Sequence, residues 1–452
     1  LSEITECYSV GPDNIESAEQ QSDSQIENTF NDKNLFIEKK KLNITYLIDN
    51  ILAVTGGNQT LLSQTNELVR RGHSVTIVTY SIRPPWFNLL ADVRTIPTGV
   101  PLNSFVPNCD VIISTYIDNA VKLKNIKAPV KIYFHQGDQY IFNDSLLKDK
   151  RKNEIYHKES KAVFGATDIK LVANSKALAN EIKSKYGKES DEIINVGVDL
   201  KIFKSIQKPF KGSKLRILVV GPDKKGTTAE PLDFKGIFDV KEALLIYQKA
   251  NPDFTLVRIS NSEPEIFKDF SCEFYFIPND NLKTYLYGTA DVLIYASHYE
   301  SWGLPPLEAM AAGVPVICTS NVGSLEYCQN EENCLLVPIK SPKSIADALV
   351  RLFEDKALHR KIIQGGLFTV QKFSKVKEWD DLENMLYKFI YEKESTKLDL
   401  TEIKELVENQ LLLADLHLGK GEFELCIDSL SSISNYINDL LDVELKIAFY
   451  QS

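Results

Sequence analysis

Tyr299-Glu300-Ser301-Trp302-Gly303-Leu304-Pro305-Pro306-Leu307-Glu308-Ala309-Met310-Ala311-Ala312-Gly313-Val314-Pro315-Val316-Ile317 sets two glutamates eight residues apart around a Gly/Pro turn that opens a helix. A loop arriving from the apolar strand Asp291-Val292-Leu293-Ile294-Tyr295 would hold Glu300, with Ser301 beside it. A turn at Gly303 would bring backbone N–H groups, those of Gly303 and Leu304, close to a ligand. The helix that follows would aim its positive end at an anion. Glu308, inside the first turn, would then offer a carboxylate to vicinal hydroxyls. An acidic group on a ribose beside a diphosphate on a helix N-terminus is how α/β sheets hold nucleotides, so the segment points to a nucleotide-sugar site. The plainer reading is a surface loop with two solvated carboxylates. Against it stands the joint order of Glu, Gly, Pro, Glu and the small-residue run Ala-Met-Ala-Ala-Gly-Val-Pro.

Length and composition fit an enzyme of this kind. The 452 residues, 43% of them hydrophobic, suffice for several sizeable cores. The net charge of -10 argues against binding by general attraction to nucleic acid or anionic lipid. Cys7, Cys109, Cys272, Cys318, Cys328, Cys334 and Cys426 are odd in number, scattered and free of any C-x-x-C pair. Neither a disulfide framework nor a zinc site is indicated, and a reducing cytoplasm is the expected compartment. No apolar run reaches the roughly 18 residues of a membrane helix, and the N-terminus lacks a signal-peptide pattern. The chain starts at Leu1, not Met, which predicts a processed product or a piece of a longer protein.

Outward from the glutamate segment, the chain divides into four parts. Residues 1–41 are polar, acidic and without periodicity, a flexible arm. From Leu42, the strand Asn43 to Ile48, the glycine turn Thr55-Gly56-Gly57-Asn58, the amphipathic helix Gln59 to Arg71 and the strand Ser74 to Thr79 make a βαβ unit of a parallel sheet. Val111 to Ser114, Val130 to Phe134 and Lys170 to Ala173 continue it, so 42–205 reads as one Rossmann-like domain. A Pro/Gly/Lys stretch, Ser205 to Ser213, marks the boundary. A second such domain, 206–395, begins with the strand Leu215 to Gly221 and continues through Thr255 to Arg258, Asp291 to Tyr295 and Val314 to Ile317. Two such sheets would face each other across a cleft, where ligands of this size usually sit. The tail, 396–452, is helical. It weakly resembles one tetratricopeptide hairpin and is expected to pack on the enzyme, a second copy or a protein partner.

The glutamate segment resembles the E-x7-E signature of the retaining glycosyltransferases of family 4, the group 1 glycosyltransferases: E-[GS]-F-G-L-P-x-L-E-A-M-A-x-G-x-P-V-I, with Trp302 in place of Phe. By order of motifs the resemblance spans about residues 42 to 390, and it is strong only here. It implies the GT-B architecture, two facing Rossmann-like doubly wound α/β domains, with the acceptor on the first and the donor on the second.

Other blocks match that pattern singly. Gly56-Gly57 follows the first strand as the family's glycine loop does, near the donor phosphates and the acceptor; a tight turn requiring positive φ explains the pair equally well. His135, in Phe134-His135-Gln136-Gly137-Asp138, stands just past a strand end, where the resemblance implies a histidine touching the donor sugar. A satisfied core or loop histidine is the alternative, and His298 is its rival for the role. Lys235-Gly236 resembles the family's K-G, whose lysine binds the diphosphate, and a fixed cation there would stabilise the charge that develops on the departing nucleoside diphosphate. The family's cation directly after the strand is absent from Gly221-Pro222-Asp223-Lys224-Lys225, and Lys224 or Lys225 is the expected substitute. Asn195-Val196-Gly197-Val198-Asp199 with Phe203 resembles the family's N-G-V-D-x-x-x-F, which closes the first domain. Asn321 to Glu326 and Asn333-Cys334-Leu335-Leu336-Val337 resemble G-G-x-x-E and N-G-L-L-V.

No Asp-x-Asp triplet occurs, which argues against a metal-bridged diphosphate site, and no phosphate loop, G-x-S-x-G elbow or H-E-x-x-H motif is present. The expected function is therefore metal-independent glycosyl transfer from a nucleoside-diphosphate-sugar to a glycan, lipid or protein acceptor, without cofactor, and with retention of configuration as the resemblance implies. Catalysis falls to Glu300, His135 and Lys235. Donor binding falls to Gly56, Gly57, Lys224, Lys235, Ser301, Gly303, Leu304 and Glu308. Glu300 as a nucleophile and Glu300 as a holder of sugar hydroxyls fit the spacing equally. A degenerate subunit supporting an active partner and a nucleotide-sugar epimerase are the alternatives. The protein is expected in the cytoplasm, reaching a membrane only through its acceptor.

Overall fold

The computed structural model describes residues 40–137, 139–142, 149–203, 214–222, 234–260, 265–276, 279–395 and 419–420. Most of the arm, the boundary stretch 205–213, Lys224, Lys225 and nearly all of the tail 396–452 lie outside the described residues. The chain splits into the units Leu1–Lys41 and Leu42–Ser452, and the second carries both sheets.

Short runs of Val, Ile, Leu and aromatic residues buried on both faces make parallel strands that must be covered by helices. In the first sheet these are β1 (Asn43–Leu47), β2 (Ser74–Thr79), β3 (Asp92–Thr95), β4 (Val111–Ser114), β5 (Val130–His135), β6 (Lys170–Ala173) and β7 (Glu192–Ile193), in the spatial order β3-β2-β1-β4-β5-β6-β7. All pairings are parallel. The order reverses between β1 and β4, and at such a switch point loops at the carboxyl ends diverge and leave a crevice. The helix Gly56–Arg70 starts there, capped by Thr55, whose Oγ1 accepts from Asn58 N at 3.2 Å. It begins earlier than Gln59, so Gly56 and Gly57 form its first turn, and neither has positive φ. The tight-turn reading of the pair is thereby corrected: Thr55 supplies a cap that starts the helix three residues sooner.

The second sheet contains β8 (Leu215–Val220), β9 (Phe254–Ser260), β10 (Cys272–Phe276), β11 (Val292–Tyr295), β12 (Val316–Thr319) and β13 (Leu335–Val337), ordered β10-β9-β8-β11-β12-β13 and again parallel throughout. Its switch point lies between β8 and β11. The loops that leave those two strands carry Lys235 and Glu300. The predicted architecture of two Rossmann-like sheets is present.

The helix Lys375–Ser395 follows the second sheet in sequence yet packs into the core of the first. Leu382, Leu386, Phe389 and Ile390 are buried with Leu42, Ile44 and Tyr46. Burying each such side chain contributes roughly 1.5–3 kcal/mol. Polar contacts fix its register. The Glu378 carboxylate accepts from Gln64 Nε2 (2.8 Å) and from Gly197 N (2.7 Å) and pairs with Lys375 Nζ (3.0 Å). Arg71 bridges Asp380 (2.6 Å) and Glu383 (2.9 Å) on the same helix.

Candidate active site

The βα loop after β11 ends at Gly303, the N-cap of the helix Leu304–Ala311, with φ of +91°. Glycine reaches that region without strain, and a Cβ here would stand 3.0 Å from the Tyr295 hydroxyl oxygen. Pro305 and Pro306 fill the first turn, where the missing N–H groups have no intrahelical partner to lose. The N–H groups of Gly303 and Leu304 therefore remain at the helix start, as the sequence predicts. The Gly303 carbonyl accepts from the Tyr327 hydroxyl, which ties down the other side of the turn.

Each glutamate of the segment has its own lysine. Glu300, with a side chain 14% exposed, pairs with Lys235. Lys235 precedes Gly236, whose φ is +64° and whose missing Cβ would fall 2.0 Å from the Ala296 carbonyl oxygen. That close approach brings the lysine loop against the end of β11. Glu308 lies one turn into its helix and is 5% exposed. Its Oε1 accepts from Lys283 of the helix Asp280–Thr289, and its Oε2 has no hydrogen-bond partner. Burial, with the neighbouring Glu308 charge, pushes the Tyr287 hydroxyl well above its ordinary value; burial and Glu300 do the same to Tyr295. Both remain neutral phenols beside the carboxylates.

These groups line a cavity of about 490 Å³ between the two sheets. The first domain contributes Gly56, Gly57, Gln136, Gly137 and Asn174; the second contributes Lys235, Lys283, Glu300, Ser301, Gly303, Leu304 and Glu308. Ser301 fastens the two walls together: its hydroxyl donates to the Gln136 carbonyl (2.6 Å) and accepts from Asn174 Nδ2 (3.0 Å). Trp302 Nε1 donates across the same boundary to the Val196 carbonyl (2.9 Å), and Glu326 Oε1 accepts from Ala177 N (2.5 Å) at the start of the helix Lys176–Tyr186.

Of the sequence-predicted residues, Gly56, Gly57, Lys235, Glu300, Ser301, Gly303, Leu304 and Glu308 share this cavity, and Lys224 lies outside the described residues. His135 is not among the lining residues. It is 3% exposed, stacks on Tyr133 with ring centroids 5.0 Å apart, and its Nδ1 accepts from Gly137 N at 3.1 Å. In this structure the imidazole braces the loop that carries Gln136 and Gly137, because β5 runs one residue further than the sequence suggests and takes His135 into the sheet. His298 is bound to Asp239, Nε2 to Oδ2 at 2.6 Å, and is also absent from the lining.

Two further cations have no counterpart among the residues expected from sequence. Lys283 stands three residues before Leu286 and four before Tyr287, both buried, so helical spacing alone would have placed it on the inward face. Arg258, on β9 and fully buried, donates to the carbonyls of Val219 (2.9 Å) and Gly221 (2.6 Å) and so holds the end of β8. A charged residue at a doubly buried strand position was the available signal.

Two facing parallel sheets, with a helix N-terminus and paired acidic residues at the switch point of the second, define the GT-B fold. Solved structures agree. Sucrose-phosphate synthase from Thermosynechococcus elongatus superimposes with a TM-score of 0.64 at 18% identity, over 78% of this chain and 99% of that one. Anabaena HepE, solved in complex with UDP-glucose, gives a TM-score of 0.61 at 15% identity, over 77% of this chain and 100% of that one. Residues 271–367, which include Lys283, Glu300 and Glu308, match the family model described as glycosyl transferases group 1. The capsular polysaccharide biosynthesis glycosyltransferase CapM of Staphylococcus aureus is 26% identical over 281 residues, 59% of this chain and 72% of that protein. Relatives from Methanocaldococcus jannaschii and Paenarthrobacter aurescens match over only 26% and 51% of their own length. Residues 271–367 are thus similar to group 1 glycosyltransferases, and the two sheets share the GT-B fold of the solved structures.

Proposed function

We propose that the protein transfers a sugar from a nucleoside-diphosphate-sugar to an acceptor, without a metal ion and with retention of configuration, as a hexosyltransferase of the family 4 type. The observation that carries this reading is the pair of glutamates, each held by a lysine, on the helix start that lines the cavity between the domains. Glu308 Oε2, buried and without a partner, is an acceptor for a ribose hydroxyl. The N–H groups of Gly303 and Leu304 face the diphosphate at the positive end of the helix. Lys235 supplies the fixed cation for the charge that builds on the leaving nucleoside diphosphate, the task a metal performs elsewhere. Glu300, oriented by Lys235, accepts from sugar hydroxyls. Gly56 and Gly57 start the facing helix on the acceptor domain, where a glycan, lipid or protein acceptor would dock. No described helix is long and apolar enough to cross a membrane, and the proposed setting is the cytoplasm, with membrane contact made through the acceptor.

HepE, solved with UDP-glucose, supports placing UDP-glucose first in a thermal-shift screen against UDP, GDP and ADP sugars. A donor at 100 times its dissociation constant raises stability by about 2.7 kcal/mol. No shift with any of the three nucleotide classes would overturn the donor reading. With the right donor, the purified protein should release nucleoside diphosphate at the same rate with and without EDTA. A rate abolished by EDTA and restored by a divalent cation would remove the metal-independent mechanism.

A further inference from the structure

We propose that Lys283 is a further donor-site residue, one that positions the Glu308 carboxylate for the nucleoside; this rests on the donor reading above. Lys283 belongs to neither the glutamate segment nor the lysine loop. It comes from the helix Asp280–Thr289, on the inward face that it shares with Leu286 and Tyr287. Its ammonium pairs with Glu308 Oε1, and both side chains line the cavity. Their exposures, 17% and 7%, set the pair apart from a surface ion pair, whose contribution water and salt largely cancel. The ammonium lies 5.3 Å from the ring centre of Phe203 and 6.0 Å from that of Tyr287, and two aromatic rings confine a cation to a narrow range of positions.

The same contact would also form if Lys283 merely tied two helices together. Glu308 argues for more. A carboxylate serving only as a structural partner would satisfy both oxygens, whereas here Oε1 is fixed by Lys283 and Oε2 is buried with no partner. The lysine thus sets the rotamer that presents Oε2. Phe203 adds a link to the chain between the domains, because it ends the run Asp199 to Phe203 and packs edge-on against Tyr287 at 5.4 Å.

The test is calorimetry on the full chain with UDP, GDP and ADP, followed by the nucleotide that binds and inorganic pyrophosphate on the variants. Lys283→Met should weaken the nucleoside diphosphate about tenfold or more, the loss expected when a charge-assisted contact is removed. Pyrophosphate should stay within about twofold, which also shows that the variant is folded, and Lys283→Arg should recover most of the lost affinity. In a Glu308→Gln background, Lys283→Met should cost less than about twofold more, because the carboxylate it positions is gone. Unchanged nucleotide affinity in Lys283→Met, or an equal loss of nucleotide and pyrophosphate, overturns the inference while leaving the donor site standing. Wild-type protein that binds none of the three nucleotides overturns the donor reading, and this inference with it.

Discussion

A buried carboxylate and a half-buried one in the same cavity are tolerable because each meets a cation, Glu308 with Lys283 and Glu300 with Lys235. The proposed reaction nevertheless gives the two glutamates different tasks, and substitution separates them. Glu308→Ala removes the proposed ribose acceptor, so nucleoside diphosphate binding should weaken by roughly 1.5–3 kcal/mol, the loss of a charged hydrogen bond. Calorimetry at constant salt measures it, and unchanged affinity would count against the ribose assignment. The charge of Lys235 is assigned to the transition state, where the leaving group becomes more anionic. Lys235→Ala should therefore lower kcat by roughly 10² to 10³ while the donor KM moves less. A normal kcat would show that the phosphate cation is elsewhere.

Among the elements, the helix Lys375–Ser395 is the one whose packing sequence order does not suggest. It crosses from the second sheet to the first, and Glu378, 1% exposed, anchors it by gathering Gln64, Gly197 and Lys375 on one carboxylate. Glu378→Ala leaves two buried donors, Gln64 Nε2 and Gly197 N, and the half-buried Lys375 ammonium without an acceptor, and breaking a buried pair in this way costs up to roughly 3–5 kcal/mol. Glu378→Gln keeps an acceptor oxygen and should cost clearly less. Urea denaturation of the two variants checks the order, and equal stabilities would mean that apolar packing alone holds the helix. The edge strands show the complementary limit. β3 and β7 consist of half-buried or exposed residues in short mixed runs that carry little strand signal, and β10, despite Phe274-Tyr275-Phe276, is not fully buried at any position, whereas β2, β4 and β6 are legible residue for residue.

For the molecule as a whole, both switch points open on the same space, and Ser301, Trp302 and Glu326 hold the walls in register. Folding stability carries a pH signature from the first of these edges. Burial raises the Asp49 carboxyl above its ordinary 3.8, and Asp118 adds to the rise, against the Asn119 hydrogen bond and Lys122. The folded protein thus takes up this proton at a higher pH than the unfolded chain does. The resulting destabilisation is fully present above the raised value and is relieved as pH falls through it towards 3.8. Asp49→Asn, which retains an oxygen for Asn119, should be more stable than wild type at neutral pH, with the advantage shrinking across that window. Denaturation midpoints of both proteins from neutral to acid pH measure it, and a constant or growing advantage on acidification would refute the assignment.

Local chemistry makes much of this protein legible in its amino-acid order. Glu300, Gly303, Pro305 and Glu308 encode a loop, a positive-φ turn and the start of a helix within a dozen residues, and such features depend only on neighbours in the chain. The central strands are equally plain, since burial on both faces demands uninterrupted apolar runs. Other features depend on partners far along the chain. Lys283 meets Glu308 across 25 residues, Lys235 meets Glu300 across 65, and Glu378 meets Gln64 across 314. Nothing in a lysine's immediate neighbours reveals which carboxylate it will neutralise. His135 likewise reads as a cavity residue until β5 extends by one position and stacks it on Tyr133. The sequence by itself determined the central strands and the glutamate turn, because their causes are local; only the tertiary structure decided the edge strands, which charges pair and which side chains reach the cavity, because those follow from the packing of segments far apart in the chain.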